Sequence, residues 1–210
     1  QLDLPEGCAL DENSVKLMAR HYPFKETARC ISSDPVIKKV WSLCSRSLAY
    51  GVQEGIYDCM EREKGQYVGD GCFTSLSYAL LTGDLSIMEK LIDDSLRTQF
   101  VNKGLMTCTT CSFMQEIAEY PLMLVMLCLA HYNIKKDRAF IAQRYDALLD
   151  ILSFYKNGYQ KEDGLLYDLD KWCVVEWPAK WRDGYDVDLT EGQICKGAHN
   201  VINGYFIGAA

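Results

Sequence analysis

Asp34-Pro-Val-Ile-Lys-Lys-Val-Trp-Ser-Leu-Cys-Ser-Arg-Ser-Leu48 decides the fold class. An aspartate that can accept from the backbone, followed at once by proline, is a strong helix start. Val36, Ile37, Val40, Trp41, Cys44 and Leu48 then recur at three- and four-residue intervals, an apolar stripe that predicts a helix ending near Gly51 or Gly55. The same period returns along the chain. A second helix is expected after Gly69-Asp70, burying Phe73, Leu76, Ala79 and Leu80. Thr82-Gly83-Asp84 ends it and starts a third, with Ile87, Leu91, Ile92 and Leu96 inward and Gly104 closing it. Residues 105–119 read as a polar connection holding Glu116 and Glu119, both suited to a helix N-terminus. One helix follows from about Tyr120-Pro121 to Tyr132, and another from about Asp137 to Tyr155 with Phe140, Tyr145, Leu148, Leu149 and Leu152 inward. Asn157-Gly158 and Asp163-Gly164 mark a turn or small hairpin, and a last helix from about Thr190 buries Ile194, Ala198, Val201, Ile202 and Tyr205. Strand alternation is nearly absent. The reading is an all-α array of antiparallel hairpins.

Length and composition set the function classes. The 210 residues suffice for one large domain or two small ones, and 49% apolar with 24% charged residues is ordinary for a soluble globular protein. A net charge of −7 speaks against nucleic acid or an anionic membrane as partner. The longest apolar run, Pro121 to Ala130, has core-helix length, so no spanning segment is expected. Gln1 in place of a methionine leaves room for an upstream part. Ten cysteines could mean disulfides, but Cys44, Cys72 and Cys128 fall on apolar helix faces, where a free thiol serves as a small hydrophobe. A reducing compartment, the cytoplasm first, is the simpler expectation. Cys108-Thr-Thr-Cys111 has zinc-ligand spacing without a second pair, and His21, His131 and His199 are scattered, so neither metal nor cofactor is expected.

Polar chemistry gathers in two irregular stretches. Asp58-Cys-Met-Glu-Arg-Glu-Lys-Gly-Gln-Tyr-Val-Gly-Asp70 places four carboxylates (Asp58, Glu61, Glu63, Asp70) around the guanidinium of Arg62, between two apolar helices. Such a long charged connection is a usual place for chemistry, and carboxylates in unlike environments are what acid/base work on a glycosidic bond needs. Residues 165–189 hold Trp172, Trp177, Trp181 and Tyr185 with several carboxylates and no helical period. Carboxylates bind sugar hydroxyls, and aromatic faces lie against the apolar face of a pyranose. In a ring of hairpins both stretches converge at one end, over the axis. Each residue also has a plainer use. Glu63 can pair on the surface with Arg62 or Lys64, Asp70 can begin the next helix, and the tryptophans can fill a core or an interface.

Ser33-Asp34-Pro35, Trp41, Asp58-Cys59, Arg62-Glu63, Gly69-Asp70 and later Trp172-Cys-Val-Val-Glu-Trp-Pro178 together resemble the catalytic domain of bacterial α-L-rhamnosidases, in order across about residues 30–210. The resemblance implies an (α/α)6 barrel, six helical hairpins in a ring, with residues 33–210 its N-terminal part and 1–32 a lead-in from a preceding domain. It further implies an inverting glycoside hydrolase acting on terminal α-L-rhamnose, with a rhamnose-containing glycoside as partner. By position, Glu63 corresponds to the general acid. Asp58 and Asp70 correspond to acids that hold sugar hydroxyls, and Arg62 lies beside the general acid, where it can orient carboxylates. Tyr67 stands where the family often has tryptophan, and Trp172 and Trp177 would form an aromatic wall for the C5 methyl group. Met60 stands in place of the usual proline and Gln66 in place of a common glycine. About half the expected helices are present, and the family's general base is a glutamate further downstream. The chain alone is therefore expected to be an inactive fragment that self-associates through uncovered apolar faces. The alternatives are a non-catalytic helical carbohydrate-binding protein and a protein-interaction module, the latter binding no sugar.

Overall fold

The computed structural model describes residues 3–100, 102–110, 116–174 and 197–210. Seven α-helices occur among them, with isolated bridges as the only extended pairing: α1 (Pro35–Gly51), α2 (Val68–Thr82), α3 (Ser86–Arg97), α4 (Glu119–Lys135), α5 (Arg138–Ala142), α6 (Tyr145–Tyr159) and α7 (Asn200–Ala209). α1 begins as its sequence requires, with the Asp34 side chain accepting the Val36 N–H at 2.7 Å and proline in the first position. α2 ends at Gly83, whose φ of 76° lets its N–H reach the Ala79 carbonyl.

α4 is the axis of the core. Leu122, Met123, Leu124, Leu127, Cys128 and His131 are buried around it, and it lies chiefly against α2 and α7, with α3, α5 and α6 touching its remaining sides. A helix apolar on nearly every side is one enclosed by neighbours. At its C-terminal end the His131 ring meets Glu89 of α3 at 2.8 Å, and Lys135 meets the same carboxylate at 2.6 Å.

Several expected faces are rotated or divided. α2 buries Val68, Cys72, Ser75, Tyr78 and Ala79, while Phe73 and Leu80 are exposed. The inward phase is set by Tyr78, whose hydroxyl donates to the Pro23 carbonyl and whose ring meets Tyr22 and Phe24 edge-on. The stripe of α1 is largely uncovered: Val36, Ile37, Val40 and Cys44 are exposed, and Trp41 is held by its indole N–H donating to Glu26 at 2.7 Å. The helix expected over 137–155 is two helices broken at Gln143-Arg144. There the guanidinium forks onto Asp93 at 2.6 and 2.8 Å and donates to the Phe140 carbonyl, leaving Tyr145 and Leu149 outside. α6 runs through Asn157-Gly158, and the turn lies at Asp163-Gly164, where Gln160 pairs with Leu166.

Gly104 does not close α3, which ends at Arg97 in a short 3-10 turn. It sits at φ 86° where a Cβ would stand 2.5 Å from the Asp150 carbonyl oxygen, so a side chain there would prise α6 away. Residues 105–109, read as the start of a polar connection, are buried. The last helix begins at Asn200 with the His199 ring accepting from Ile202 N–H at 3.4 Å, and Ala198 lies before it, exposed. Any helix over 190–196 lies outside the described residues, as does Ile194.

Candidate active site

The 58–70 loop is closed on itself by backbone and carboxylate together. Asp58 N–H donates to the Gly65 carbonyl at 3.0 Å, and Gly65 N–H returns to Asp58 Oδ1 at 2.9 Å. Gln66, the residue in place of a glycine, is a buried strut. Its Oε1 accepts Ile56 N–H at 3.0 Å, while its Nε2 donates to Thr110 at 2.7 Å and Asp94 at 3.2 Å. The loop is thus tied to the preceding chain, to α3 and to the 108–110 segment, which also accepts Val68 N–H at Cys108. Long loops hold a site only when their own polar groups are satisfied in this way.

Within that frame Glu63 stands one-third exposed at the cavity, with Arg62 donating to Glu63 Oε1 at 2.8 and 3.1 Å. Tyr67 hydrogen-bonds Glu63, and burial, then that bond and its charge, push the phenol up to about 12, so it remains a neutral donor. Burial pushes the Asp58 carboxyl up, but hydrogen bonds involving Cys59, Gly65 and Glu63 outweigh it and hold Asp58 below its usual range. Asp70, in the first turn of α2, moves the other way: burial raises it, and the Asp58 and Glu63 charges add to the rise. The carboxylates therefore sit in unlike environments, which is the arrangement acid/base chemistry uses.

A cavity of about 520 Å³ collects these groups. Asp58, Arg62, Glu63, Tyr67, Asp70 and Trp172 all line it, as do Phe73, Tyr120, Val174 and Tyr205. Six of the seven residues nominated from the sequence thus share one cavity; the seventh, Trp177, lies outside the described residues, with Glu176, Trp181, Asp183 and Tyr185. The two polar stretches meet because Ala118 N–H donates to the Trp172 carbonyl at 2.8 Å and Ile117 pairs with Trp172, bringing residues 172–174 to the start of α4. Gly69 lets the Tyr120 ring lie close against the start of α2: a Cβ there would stand 2.5 Å from that ring. A second cavity, beside α4, α5 and α6, is lined by Leu129, Tyr145, Leu149 and other mostly apolar groups together with Arg138, and by no Asp or Glu. Among the described residues no three His, Cys, Asp or Glu side chains gather as a metal would need, and no helix is long and apolar enough to cross a membrane.

The family model for the bacterial α-L-rhamnosidase six-hairpin glycosidase domain matches residues 25–201. The chain belongs to that family. The rhamnosidase-family domain is also similar to a solved GH78 rhamnosidase of Bacillus sp. GL1, with a TM-score of 0.76 at 19% identity over 90% of this chain. At that identity the likeness concerns the fold. The chain spans 18% of the length of that protein. No curated protein matches the sequence.

Sequence reading undervalued Glu119 and Tyr120. Both line the cavity, and Glu119 is buried at the start of α4, with Oε1 accepting Val174 N–H at 3.0 Å. Burial, against its own backbone N–H and that of Val174, pushes its carboxyl up to about 7. The available signal was a glutamate between Ala118 and an aromatic, just before a proline-started apolar helix. That pattern also describes an ordinary helix end.

Proposed function

We propose that this domain binds the terminal α-L-rhamnose of a glycoside and supplies the general acid for its hydrolysis with inversion. The observation that carries the reading is the single cavity lined by Glu63, Asp58, Asp70, Arg62, Tyr67 and Trp172 in a chain of the rhamnosidase family. Glu63 acts as the acid. Its exposure at the cavity lets it reach a glycosidic oxygen, and protonation there lets the leaving group depart as an alcohol. Asp58 and Asp70 take sugar hydroxyls, and Arg62 holds Glu63 in place through its two N–H contacts. Tyr67 and Trp172 face the ring and its methyl group, and the family resemblance assigns Trp177 to the same role.

The base that activates water lies outside these 210 residues. What supports this is the family resemblance, in which the base is a glutamate further along the chain than the motif residues gathered at this cavity. An inverting mechanism needs a second carboxylate about 6.5–9.5 Å away, on the opposite face of the sugar. The exposed face of α1 and the apolar cavity beside α6 are where further hairpins dock; without them the 210 residues self-associate. Eight described cysteines are free, which supports a reducing, cytoplasmic setting.

The test is NMR of the first-formed sugar when the full-length enzyme cleaves an aryl α-L-rhamnoside. β-L-rhamnose appearing first supports inversion, and α-L-rhamnose contradicts it. Sugar binding without turnover would instead favour a carbohydrate-binding protein.

A further inference from the structure

The start of α4 and the segment beneath the aromatic wall are joined residue by residue. Ile117 pairs with Trp172, Ala118 N–H donates to the Trp172 carbonyl, and Glu119 Oε1 accepts Val174 N–H. Glu119 Oε2 is buried and, among the described residues, has no hydrogen-bond partner. A carboxylate wholly engaged in structure would have both oxygens satisfied. This one has a half that tolerates burial only while it carries no charge.

Resting on the rhamnoside reading above, we propose that Glu119 is a positioning residue of the sugar site, which in its uncharged form pins residues 172–174 and so sets the Trp172 wall. Its surroundings favour that form. Tyr155 of α6 faces it and donates its hydroxyl to the Ala118 carbonyl at 2.6 Å. Tyr205 of α7 and the adjacent Tyr120 feel its charge, Tyr120 also feels Asp70 of α2, and Tyr155 also feels Glu116 and Cys173. None of these is a cation, and the phenols themselves are pushed up by burial. Losing the Glu119 proton puts a negative charge on an oxygen with no donor. The relief is for the start of α4 and the 172–174 segment to part and admit water. Trp172 then leaves its place at the cavity, and sugar binding weakens.

The test uses the full-length enzyme with an aryl α-L-rhamnoside, comparing wild type, Glu119→Gln and Glu119→Ala across pH. Glutamine keeps an acceptor for Val174 and is uncharged at every pH. Wild type should show KM rising above pH about 7, Glu119→Gln should hold KM low through that range, and Glu119→Ala should raise KM about tenfold at all pH with kcat changed less than about threefold. A Glu119→Gln enzyme with the wild-type rise in KM overturns the proposal. A second readout needs no sugar. The Trp172 fluorescence, taken as wild type minus Trp172→Phe, should shift with a midpoint near pH 7 and lose that shift in Glu119→Gln. Absent turnover with that titration intact overturns the rhamnoside reading and leaves the hold on Trp172 standing. Turnover with a flat titration overturns the role of Glu119.

Discussion

Replacing Glu63 by glutamine removes the transferable proton and the carboxylate charge but keeps the size of the side chain and an acceptor oxygen. Glutamine Oε1 can still accept from Arg62, which contacts only Oε1 of the glutamate, and the Glu63 N–H contact to Cys59 Sγ at 3.3 Å is independent of the side chain. Loop closure by Asp58 and Gly65 is likewise untouched. The expected loss is therefore confined to the transition state, where the departing oxygen gains charge. For a rhamnosyl disaccharide, whose leaving alkoxide needs the full proton, kcat should fall about 10³-fold, or roughly 4 kcal/mol, within the usual range for a general acid. For a p-nitrophenyl rhamnoside, whose leaving group departs as a stable phenolate, the fall should be nearer tenfold, or about 1.4 kcal/mol. KM should move less than about threefold on both. Steady-state kinetics of wild-type and Glu63→Gln full-length enzyme on the two substrates measures this directly. A disaccharide kcat within about fivefold of wild type, or equal losses on both substrates, would refute the assignment of the acid.

Gly69→Ala should weaken L-rhamnose binding at least about tenfold by calorimetry while leaving the helical circular dichroism intact, because its Cβ would drive the Tyr120 ring out of the cavity; unchanged affinity would detach Tyr120 from the site. Stability should fall as pH rises through about 7. Glu119 binds its proton more tightly folded than unfolded, so its contribution is complete below its ordinary 4.5, is lost on passing about 7, and amounts to roughly 3 kcal/mol. Urea unfolding at pH 5 and pH 8 should show that loss in wild type and not in Glu119→Gln. Asp58, held low, has the opposite sign and cancels in the comparison, since it loses stabilisation only as pH falls through its own folded value. The isolated 210 residues should show no rhamnoside turnover and should associate by light scattering, through the exposed Val36, Ile37, Val40 and Leu149 faces. Robust turnover would refute an external base, and a monomer would refute the association.

The all-helical class was legible because capping and period agreed. Asp34-Pro35 starts α1 where its chemistry says, and Ile87, Leu91 and Ile92 face inward as their spacing requires. What failed was the phase and covering of faces. Phe73 and Leu80 are as apolar as Tyr78, and only the tertiary partners Pro23, Tyr22 and Phe24 decide that Tyr78 turns inward. The break at Arg144 was invisible because no proline or glycine marks it. It comes from a charge pair with Asp93, some fifty positions away. The candidate site was legible where a family motif spelled it, at Asp58, Arg62-Glu63, Tyr67 and Asp70. Glu119 escaped because its environment, not its neighbours in sequence, makes it unusual. Gln66 was read as a departure, yet it supplies the loop's main struts.

The most direct measurement is a crystal structure of the full-length enzyme soaked with L-rhamnose. One sugar should occupy the cavity, its hydroxyls on Asp58 and Asp70, its anomeric oxygen within hydrogen-bond reach of Glu63, and its methyl group toward Trp172. Rhamnose bound elsewhere, or bound there with Glu63 turned away from the anomeric oxygen, would contradict the account.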